Sequence, residues 1–302
     1  MKMIINGRKV DSLSGETFDV IAPATGEVID CVPKANEQDL EKAITAAVAG
    51  QKVWAKVPIS ERAEVLYRFL DIVHENREEL AQTLSAENGK PIREARAEIG
   101  NIKIGFSGFI EHAKHYYGKI IPAGTETGQD KHLQLVTREP LGVVACIIPF
   151  NFPCDLYDQK VAPALMMGNA ALVLPSSDNP LTLMKLTEML TMAGVPDGVI
   201  QCVTAPGSVK SAAVRDPRVH LVTLTGSTEV GIDTAKIAAE NLTHTALELG
   251  GNDAFILLED GDVDLAAKEL IKKGYAIREK NYHTRMGEID IIAEKDNTVV
   301  FV

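Results

Sequence analysis

The stretch Val143-Val144-Ala145-Cys146-Ile147-Ile148 is a continuous apolar run, the pattern of a strand that is buried on both faces. From there to residue 249, helical and extended patterns alternate along the chain. The predicted helices cover 156–167, 180–193, 209–214 and 229–240, and the predicted strands cover 170–174, 199–203, 220–224 and 245–249. Such alternation predicts an α/β fold with a doubly wound, Rossmann-like parallel sheet.

The region before this series is predicted to be mainly helical. Residues 1–30 have the pattern of short strands joined by turns. Residues 36–117 have a helical pattern, with Ser60 as the predicted cap of one helix and Gly89-Lys90-Pro91 as the break after the next. Residues 120–139 are polar and are predicted to form an extended hairpin.

The region after residue 261 has a different pattern. A helix is predicted over 265–273, and three short strands are predicted over 275–280, 288–293 and 298–302. This predicts a short α+β fragment with antiparallel pairing. The last strand would be an exposed apolar edge, so we expect the chain to self-associate.

Composition excludes several classes of protein. The 302 residues are 45% hydrophobic and 24% charged, with a net charge of −11, so no basic surface for nucleic acid is expected. No apolar run reaches about 18 residues, so no membrane span is expected. The start lacks a signal-peptide pattern, which predicts a cytoplasmic protein. The four cysteines show no zinc-type spacing, and His112 with His115 is predicted to be a solvated helix face rather than a metal site.

One glycine-rich segment has the position of an anion site. Gly226-Ser227-Thr228-Glu229-Val230-Gly231 directly follows the predicted strand 220–224 and opens a helix. A helix start presents free N–H groups and a positive dipole end, which favour a diphosphate. Such turns are also common as purely structural features, so this segment alone leaves both interpretations open.

Two polar residues follow other predicted strands. Asn151 lies in Pro149-Phe150-Asn151-Phe152-Pro153, just past the strand 143–148, and Glu248 precedes Gly250-Gly251. Ligands of open α/β sheets bind at the carboxyl ends of the strands. The structural alternatives are a turn asparagine between prolines and a glutamate that caps a glycine turn.

In order and spacing, the segments 149–153, 226–231 and 248–251 resemble the aldehyde dehydrogenase superfamily. Residues 22–27, 87–91 and 140–144 are also similar to family segments, and the resemblance covers about Met3 to Glu259. It implies an oxidoreductase that converts an aldehyde to a carboxylate with NAD or NADP as cofactor.

The resemblance also assigns roles to residues. Asn151 would stabilise the oxyanion that forms on the aldehyde, and Glu248 would be the general base, provided that burial raises its pKa. The implied cofactor-binding residues are Ile148, Pro149, Phe150, Pro175, Ser176, Gly207, Gly226, Ser227, Gly231, Leu249 and Gly250.

The chain departs from the family pattern after the strand 170–174. Leu174-Pro175-Ser176-Ser177 stands where the family usually has Lys-Pro-Ser-Glu, whose charged residues address the adenosine ribose. If Leu174 replaces that lysine, it would face the ribose. The choice between NAD and NADP is therefore open.

The larger departure is the missing nucleophile. The family needs a cysteine about thirty residues after the glutamate, for thiolate attack on the aldehyde. Here that stretch is Lys280-Asn281-Tyr282-His283-Thr284, and no cysteine follows Cys202. Cys154 could replace it, but an inert buried thiol is the favoured interpretation. The chain is therefore predicted to be inactive.

The tail has a resemblance of its own. Lys273–Ala293 and Val299–Val302 are similar to the YraN-type family, whose members resemble restriction-endonuclease-fold nucleases. Asp290 would be the first metal-binding acid, but the family's Glu-x-Lys strand is not completed before Val302. Residues 262–302 carry seven Lys/Arg and eight Asp/Glu, a net of −1, which gives no support for DNA binding.

These patterns predict two domains, an NAD(P)-binding one at 1–261 and a nuclease-like fragment at 262–302. The join could be a natural fusion, an error of gene assembly or an artificial one. Three functions stay open. They are an inactive aldehyde dehydrogenase-like oxidoreductase, a non-catalytic dinucleotide-binding or assembly module, and an incomplete metal-dependent nuclease. An aldehyde would be the small-molecule partner of an active enzyme.

Overall fold

The largest element of the computed structural model is a seven-stranded sheet. The model describes residues 1–251, 256–258, 260–285 and 287–302, and the Glu288 side chain lies outside the description. The chain forms two units, Met1–Gly250 and Gly251–Val302. The strands of the first are β1 (Met3–Ile5), β2 (Arg8–Val10), β3 (Thr17–Ile21), β4 (Val28–Pro33), β5 (Lys119–Ile121), β6 (Gln134–Val136), β7 (Val143–Ile147), β8 (Ala170–Leu174), β9 (Ile200–Cys202), β10 (Val219–Thr225) and β11 (His244–Glu248).

The helices of the first unit fall into two groups. Before the sheet come α1 (Glu37–Trp54), α2 (Ile59–Glu75), α3 (Arg77–Asn88) and α4 (Ile92–Lys114). Between the strands come α5 (Pro153–Met166), α6 (Leu181–Met192), α7 (Gly207–Arg215) and α8 (Thr228–Ala239). The predicted helical region and the predicted alternation are both confirmed, with boundaries shifted by a few residues.

The order of the large sheet is β11-β10-β7-β8-β9-β1-β2. Strands β7 to β11 pair in parallel, whereas β1 pairs antiparallel to both β9 and β2. The α/β class with a doubly wound parallel sheet is therefore confirmed. The predicted turns and the hairpin at 120–139 also form, as β1–β2, β3–β4 and β5–β6.

Alternate residues of the central strands enter two separate apolar clusters. In β7, Val144 and Cys146 belong to one cluster, and Val143 and Ala145 belong to the other. This explains why the strand sequence is apolar throughout: each face is covered by helices. The first cluster contains Trp54, which is 1% exposed and donates its Nε1–H to the Leu165 carbonyl at 2.8 Å.

The predicted cap of α2 is wrong. The helix begins at Ile59, its N-cap is Pro58, and Ser60 lies inside its first turn without serving as a cap. Proline fixes φ near the helical value and tolerates the missing N–H at a helix start, so Pro58 ends the preceding loop. The predicted break is confirmed, because Gly89 ends α3 with a left-handed φ of 81°.

The second unit is a small α+β element of its own. It contains α9 (Val263–Lys272) and the antiparallel strands β12 (Ala276–Thr284), β13 (Gly287–Lys295) and β14 (Thr298–Phe301), in the order β12-β13-β14. Its core consists of Ala266, Ala267, Leu270, Ile291 and Ala293. Val299 and Phe301 are exposed on the edge strand β14, as the sequence predicts.

No helix in the described part of the chain is both long enough and apolar enough to cross a bilayer. His112 lies in α4, and His115 follows its end. Within the described ranges, no group of three or more His, Cys, Asp or Glu side chains could hold a metal ion.

Candidate functional site

The ends of four adjacent strands bring the predicted site segments to one edge of the sheet. Ile147 pairs with Leu174 of β8 and with Leu224 of β10. Thr225 pairs in turn with Glu248 of β11. The segments 148–151, 175–176, 226–227 and 249–250 all begin at this edge, where open α/β sheets bind their ligands.

The loop that carries Asn151 is held by hydrogen bonds to its backbone. The Phe150 carbonyl accepts from Asn88 Nδ2 at 2.6 Å and from Asn179 Nδ2 at 2.8 Å, and the Asn151 carbonyl accepts from Lys90 Nζ at 3.1 Å. Asn151 itself is exposed. Its backbone is fixed while its side chain faces solvent, which fits an amide that donates to a ligand.

A buried ion pair lies behind this loop. Lys90 and Glu98 have side chains that are only 9% and 3% exposed, and their charged groups are in direct contact. Glu98 Oε1 also accepts from the Cys154 N–H at 2.8 Å, at the start of α5. Lys90 Nζ lies 4.7 Å from the ring centroid of Phe152. The pair therefore joins the loop between α3 and α4, α4 itself and the Asn151 loop.

Glu87 is a second buried carboxylate on the same side. It accepts from the Leu181 N–H at 2.6 Å and from the Thr182 N–H at 2.8 Å, at the start of α6. Burial raises its pKa to about 7, although these hydrogen bonds act in the opposite direction. A pocket of about 390 Å³ lies beside it, lined in part by Asn88 and Phe150.

The start of α8 has the features that a diphosphate site needs. Ser227 is the N-cap and its hydroxyl accepts from the Val230 N–H at 3.3 Å, while the Gly226 N–H donates to the Glu248 carbonyl at 3.0 Å. A Cβ on Gly231 would come within 2.3 Å of Leu249 Cδ2, so the absent side chain allows α8 to lie close to β11. Beside Gly250, a Cβ would meet nothing nearer than 3.5 Å, so space remains for a ligand there.

Glu248 is exposed, so the structure does not show the burial that its expected role as general base requires. β11 is the outermost strand, and four of its five residues are exposed. Gly250 is exposed and Leu249 is half-buried beside it. An edge strand has a neighbour on one side only, so this part of the site is open to solvent.

Lys160 is a candidate site residue that sequence reasoning missed. It lies on α5, is 4% exposed, and donates from Nζ to Thr225 Oγ1 at 2.7 Å. Burial lowers its pKa, while the nearby charges of Cys146 and Glu248 act in the opposite direction. It lines an open pocket of about 430 Å³ with Thr223 and Ala246. The sequence feature that could have identified Lys160 is a lysine on an otherwise apolar face of α5.

The end of β8 corrects another expectation. Leu174 is 0% exposed and belongs to the apolar cluster that also contains Val209, so its side chain does not face a ribose. The ammonium group of Lys210, in α7, lies at the end of β8, where its Nζ donates to the Pro175 carbonyl at 2.6 Å. Ser176 is half-buried beside it, and Gly207, at the start of α7, is exposed.

The four cysteines have none of the features of an activated thiolate. Cys154 is 0% exposed, and burial together with the neighbouring charges of Glu98 and Glu87 raises its pKa well above the ordinary value. Burial raises the pKa of Cys146 and of Cys202 to about 12. Cys31 is exposed, but its hydrogen bond to Asp19 raises its pKa as well. The inert interpretation of Cys154 is therefore supported.

Asp290, the acid of the nuclease alternative, lies half-buried in β13. Since the described residues contain no metal-binding group of acids, histidines or cysteines, the structure assigns this residue no partner for a metal.

Comparison with known families identifies the family of the chain. A family model described as "Aldehyde dehydrogenase family" matches residues 9–278. The chain belongs to the aldehyde dehydrogenase family. The predicted family membership is thereby confirmed.

Curated relatives cover the same part of the chain. A 3-sulfolactaldehyde dehydrogenase of Pseudomonas putida is 40% identical over 265 residues, which are 87% of this chain and 54% of the relative. The succinate-semialdehyde dehydrogenase [NADP(+)] GabD of Escherichia coli K12 is 36% identical over 266 residues, which are 88% of this chain and 54% of the relative. The chain thus spans about half the length of these relatives.

Solved structures of aldehyde dehydrogenases also match most of this chain. The NADP-dependent glyceraldehyde-3-phosphate dehydrogenase of Bacillus halodurans, complexed with NADP, is 34% identical with a TM-score of 0.84, over 90% of this chain and 57% of that one. The betaine aldehyde dehydrogenase of Staphylococcus aureus in complex with NAD+ is 32% identical with a TM-score of 0.83, over 91% and 55%. NAD and NADP are thus the cofactors of the family, as predicted.

A second model matches the tail. It is described as "Uncharacterised protein family UPF0102" and covers residues 264–302, so it overlaps the first model over 264–278. The tail is therefore similar to a family other than the aldehyde dehydrogenases. The two structural units meet at 250/251, and the domain boundary at 261/262 stays a prediction.

Proposed function

We propose that residues 1–261 bind NAD or NADP and belong to an aldehyde-oxidising enzyme, and that this chain does not itself turn over aldehydes. The observation that carries the proposal is the convergence of three motif segments on adjacent strand ends. Asn151, Ser227 and Glu248 follow or end β7, β10 and β11, which are neighbours in the sheet.

The cofactor would lie along this edge. Gly226 and Ser227 would hold the diphosphate at the start of α8, where the helix dipole and free N–H groups favour an anion. Ile148, Pro149 and Phe150 would border it on one side, Pro175, Ser176 and Gly207 on another, and Leu249 and Gly250 beside Glu248. When bound, NAD or NADP supplies a hydride acceptor.

The side chains would divide the remaining chemistry among them. The Asn151 amide would donate a hydrogen bond to the developing oxyanion, and Glu248 would accept a proton from the water that attacks the acyl group. Lys160 donates to Thr225, the strand partner of Glu248, and would supply a positive charge near that carboxylate.

The proposed inactivity rests on the cysteines. The stretch 280–284 contains no cysteine, and Cys154 is fully buried with its pKa raised well above the ordinary thiol value, which disfavours a thiolate beside the Asn151 amide. Without it the covalent step that leads to hydride transfer does not occur. A chain that binds the cofactor without turnover would act as the non-catalytic dinucleotide-binding module that the sequence also leaves open.

Calorimetric titration with NAD and NADP tests binding. The matched variants are Ser227→Asp and Asn36→Asp, because both residues are helix N-caps and aspartate caps as well as they do. Ser227→Asp adds a negative charge at the diphosphate site, so its affinity should fall at least about tenfold. Asn36→Asp, at α1, should bind like the wild type. Equal affinities for the two variants would count against the proposed site.

Turnover is tested with 3-sulfolactaldehyde, succinate semialdehyde and glutarate semialdehyde, the substrates in the names of relatives. We expect binding of cofactor without production of NADH or NADPH. Turnover that survives Cys154→Ala would show that another nucleophile exists, and turnover abolished by that change would assign the role to Cys154.

For residues 262–302 we propose a separate fragment with no catalytic role in this chain. Its support is the separate family match and the separate core. Self-association through the edge strand β14 stays a prediction, and light scattering of the chain tests it. A monodisperse monomer would contradict it.

A further inference from the structure

The lysine on α5 is buried without an opposite charge in contact with it. Lys160 is 4% exposed, and its Nζ donates to a neutral hydroxyl, Thr225 Oγ1, at 2.7 Å. Among the described residues, no carboxylate forms an ion pair with it. An ammonium group is strongly hydrated in water, so burial without a counterion favours the neutral amine. A neutral amine is a nucleophile, which is a chemistry that the proposed function does not use.

The open pocket beside Lys160 has a mainly apolar wall. Its volume is about 430 Å³, and its lining includes Val144 of β7 and Ala164 of α5. Two other charged residues line it, Arg138 and Glu139, and both are exposed residues between β6 and β7. A space of this size accommodates a small molecule. The pocket therefore places the amine beside room for a small, uncharged and largely apolar reactant.

Lys210 provides a comparison within the same chain. Burial lowers the pKa of Lys160, although the charges of Cys146 and Glu248 act in the opposite direction. Burial also lowers the pKa of Lys210, to about 8. Lys210 donates to the Pro175 carbonyl and does not line the pocket beside Lys160. A reactive amine needs both the loss of its proton and room for the reactant, and the two lysines separate these requirements.

We infer that Lys160 captures small aldehydes reversibly as a Schiff base. The nitrogen lone pair forms a bond to the carbonyl carbon, and the carbonyl oxygen leaves as water with the two amine protons. A proton from solvent then gives the iminium, which retains the positive charge of the ammonium. The reaction is neither an oxidation nor a reduction. It therefore goes beyond the proposed function and requires neither NAD(P) nor a cysteine.

Reductive trapping of the full chain with butanal and sodium cyanoborohydride at neutral pH tests the inference. The hydride converts the imine into a stable secondary amine, and mass spectrometry of the peptides locates the added butyl group. We expect Lys160 to be labelled at least about tenfold faster than Lys236, an exposed lysine of α8, and faster than Lys210. Lys160→Met should remove this adduct. The matched control, Lys236→Met, should leave the labelling of Lys160 unchanged.

A second variant tests the pocket and keeps the amine. Ala246 lines the same pocket, so Ala246→Leu should slow the labelling of Lys160 several-fold. This variant decides the question if thermal unfolding shows that Lys160→Met does not fold.

Three results would overturn the inference. Equal labelling of Lys160 and Lys236 would mean that the pocket selects no amine. Faster labelling of Lys210 would mean that ionisation alone determines reactivity. An adduct on Lys160 that forms only in urea would mean that aldehydes do not reach this amine in the folded chain.

Discussion

The Asn151 side and the Glu248 side of the candidate site are supported very differently. The Asn151 side follows the central strand β7 and is held by Asn88, Asn179 and the Lys90–Glu98 pair. The Glu248 side ends β11, an outer strand that pairs on one side only among the described residues. The backbone at Asn151, the proposed oxyanion donor, is therefore held by the fold, whereas Glu248, the proposed base, lies on a solvent-exposed edge.

The difference shows which strands of the sheet can hold a site residue in place before a ligand binds. A central strand is covered on both faces and paired on both sides, so a loop that follows it can be fixed by buried polar groups. An edge strand offers no such environment, and near Glu248 the buried polar contact is the one between Lys160 and Thr225 of the neighbouring strand. Four predictions test this contrast.

The largest expected effect is the loss of the buried ion pair. Glu98→Ala leaves the Lys90 ammonium buried without its partner and should lower the free energy of unfolding by about 3–5 kcal/mol. Urea unfolding measures it. Glu78→Ala breaks an exposed pair with Arg96 and should cost about 1 kcal/mol or less. Similar losses in the two variants would mean that the pair on the Asn151 side supports the fold no more than a surface pair does.

The next effect is a pH dependence from Glu87. Its folded-state pKa of about 7 exceeds the ordinary 4.5, so the unfolded chain releases the proton first as the pH rises. Its contribution is fully present below pH 4.5 and is lost as the pH rises to about 7. Relative to Glu87→Gln, the wild type should lose about 3 kcal/mol of stability across this range.

Unfolding curves at several pH values measure this slope. Glu61→Gln, on the exposed face of α2, is the matched control and should keep the wild-type slope. A wild-type slope that persists in Glu87→Gln would show that Glu87 is ionised in the folded chain, held by its hydrogen bonds.

The third effect compares the strands themselves. Leu172 lies in β8 and is fully buried, whereas Leu247 lies in β11 and is half-buried. Leu172→Ala should destabilise by about 3 kcal/mol and Leu247→Ala by about 1 kcal/mol. Equal losses would mean that β11 is packed as well as the centre of the sheet.

The smallest effect concerns a single loop hydrogen bond. Asn88→Ala removes one of the two amide donors to the Phe150 carbonyl and should lower stability by about 1 kcal/mol. Asn101→Ala, which removes an exposed contact with Asp155, should have a smaller effect. If the two variants are equally stable, the loop does not depend on Asn88.

The sequence predicted the fold well where one signal dominated. The run Val143–Ile148 is apolar at every position because both faces of β7 are covered, and that pattern identified the parallel sheet. The start of α2 was misplaced because Pro58 and Ser60 are competing start signals. Helix propensity along the sequence does not decide which of these two residues starts the helix.

The site was predicted only in part, because its polar contacts join distant residues. Asn151, Ser227 and Glu248 belong to segments with recognisable patterns. Lys160 and its partner Thr225 are separated by 65 residues, so no local pattern links them. The exposure of Glu248 depends on the position of β11 in the sheet order, which βα alternation alone does not determine.

The burial of Trp54 has a spectroscopic consequence. It is the single tryptophan of the chain, and it lies in the core of the first unit with its indole N–H bonded to α5. Its emission therefore reports on the packing of α1 against α5, and residues 251–302 contribute no tryptophan signal. A chain whose tail had unfolded while the first unit stayed intact would show a change in circular dichroism without a change in the indole emission.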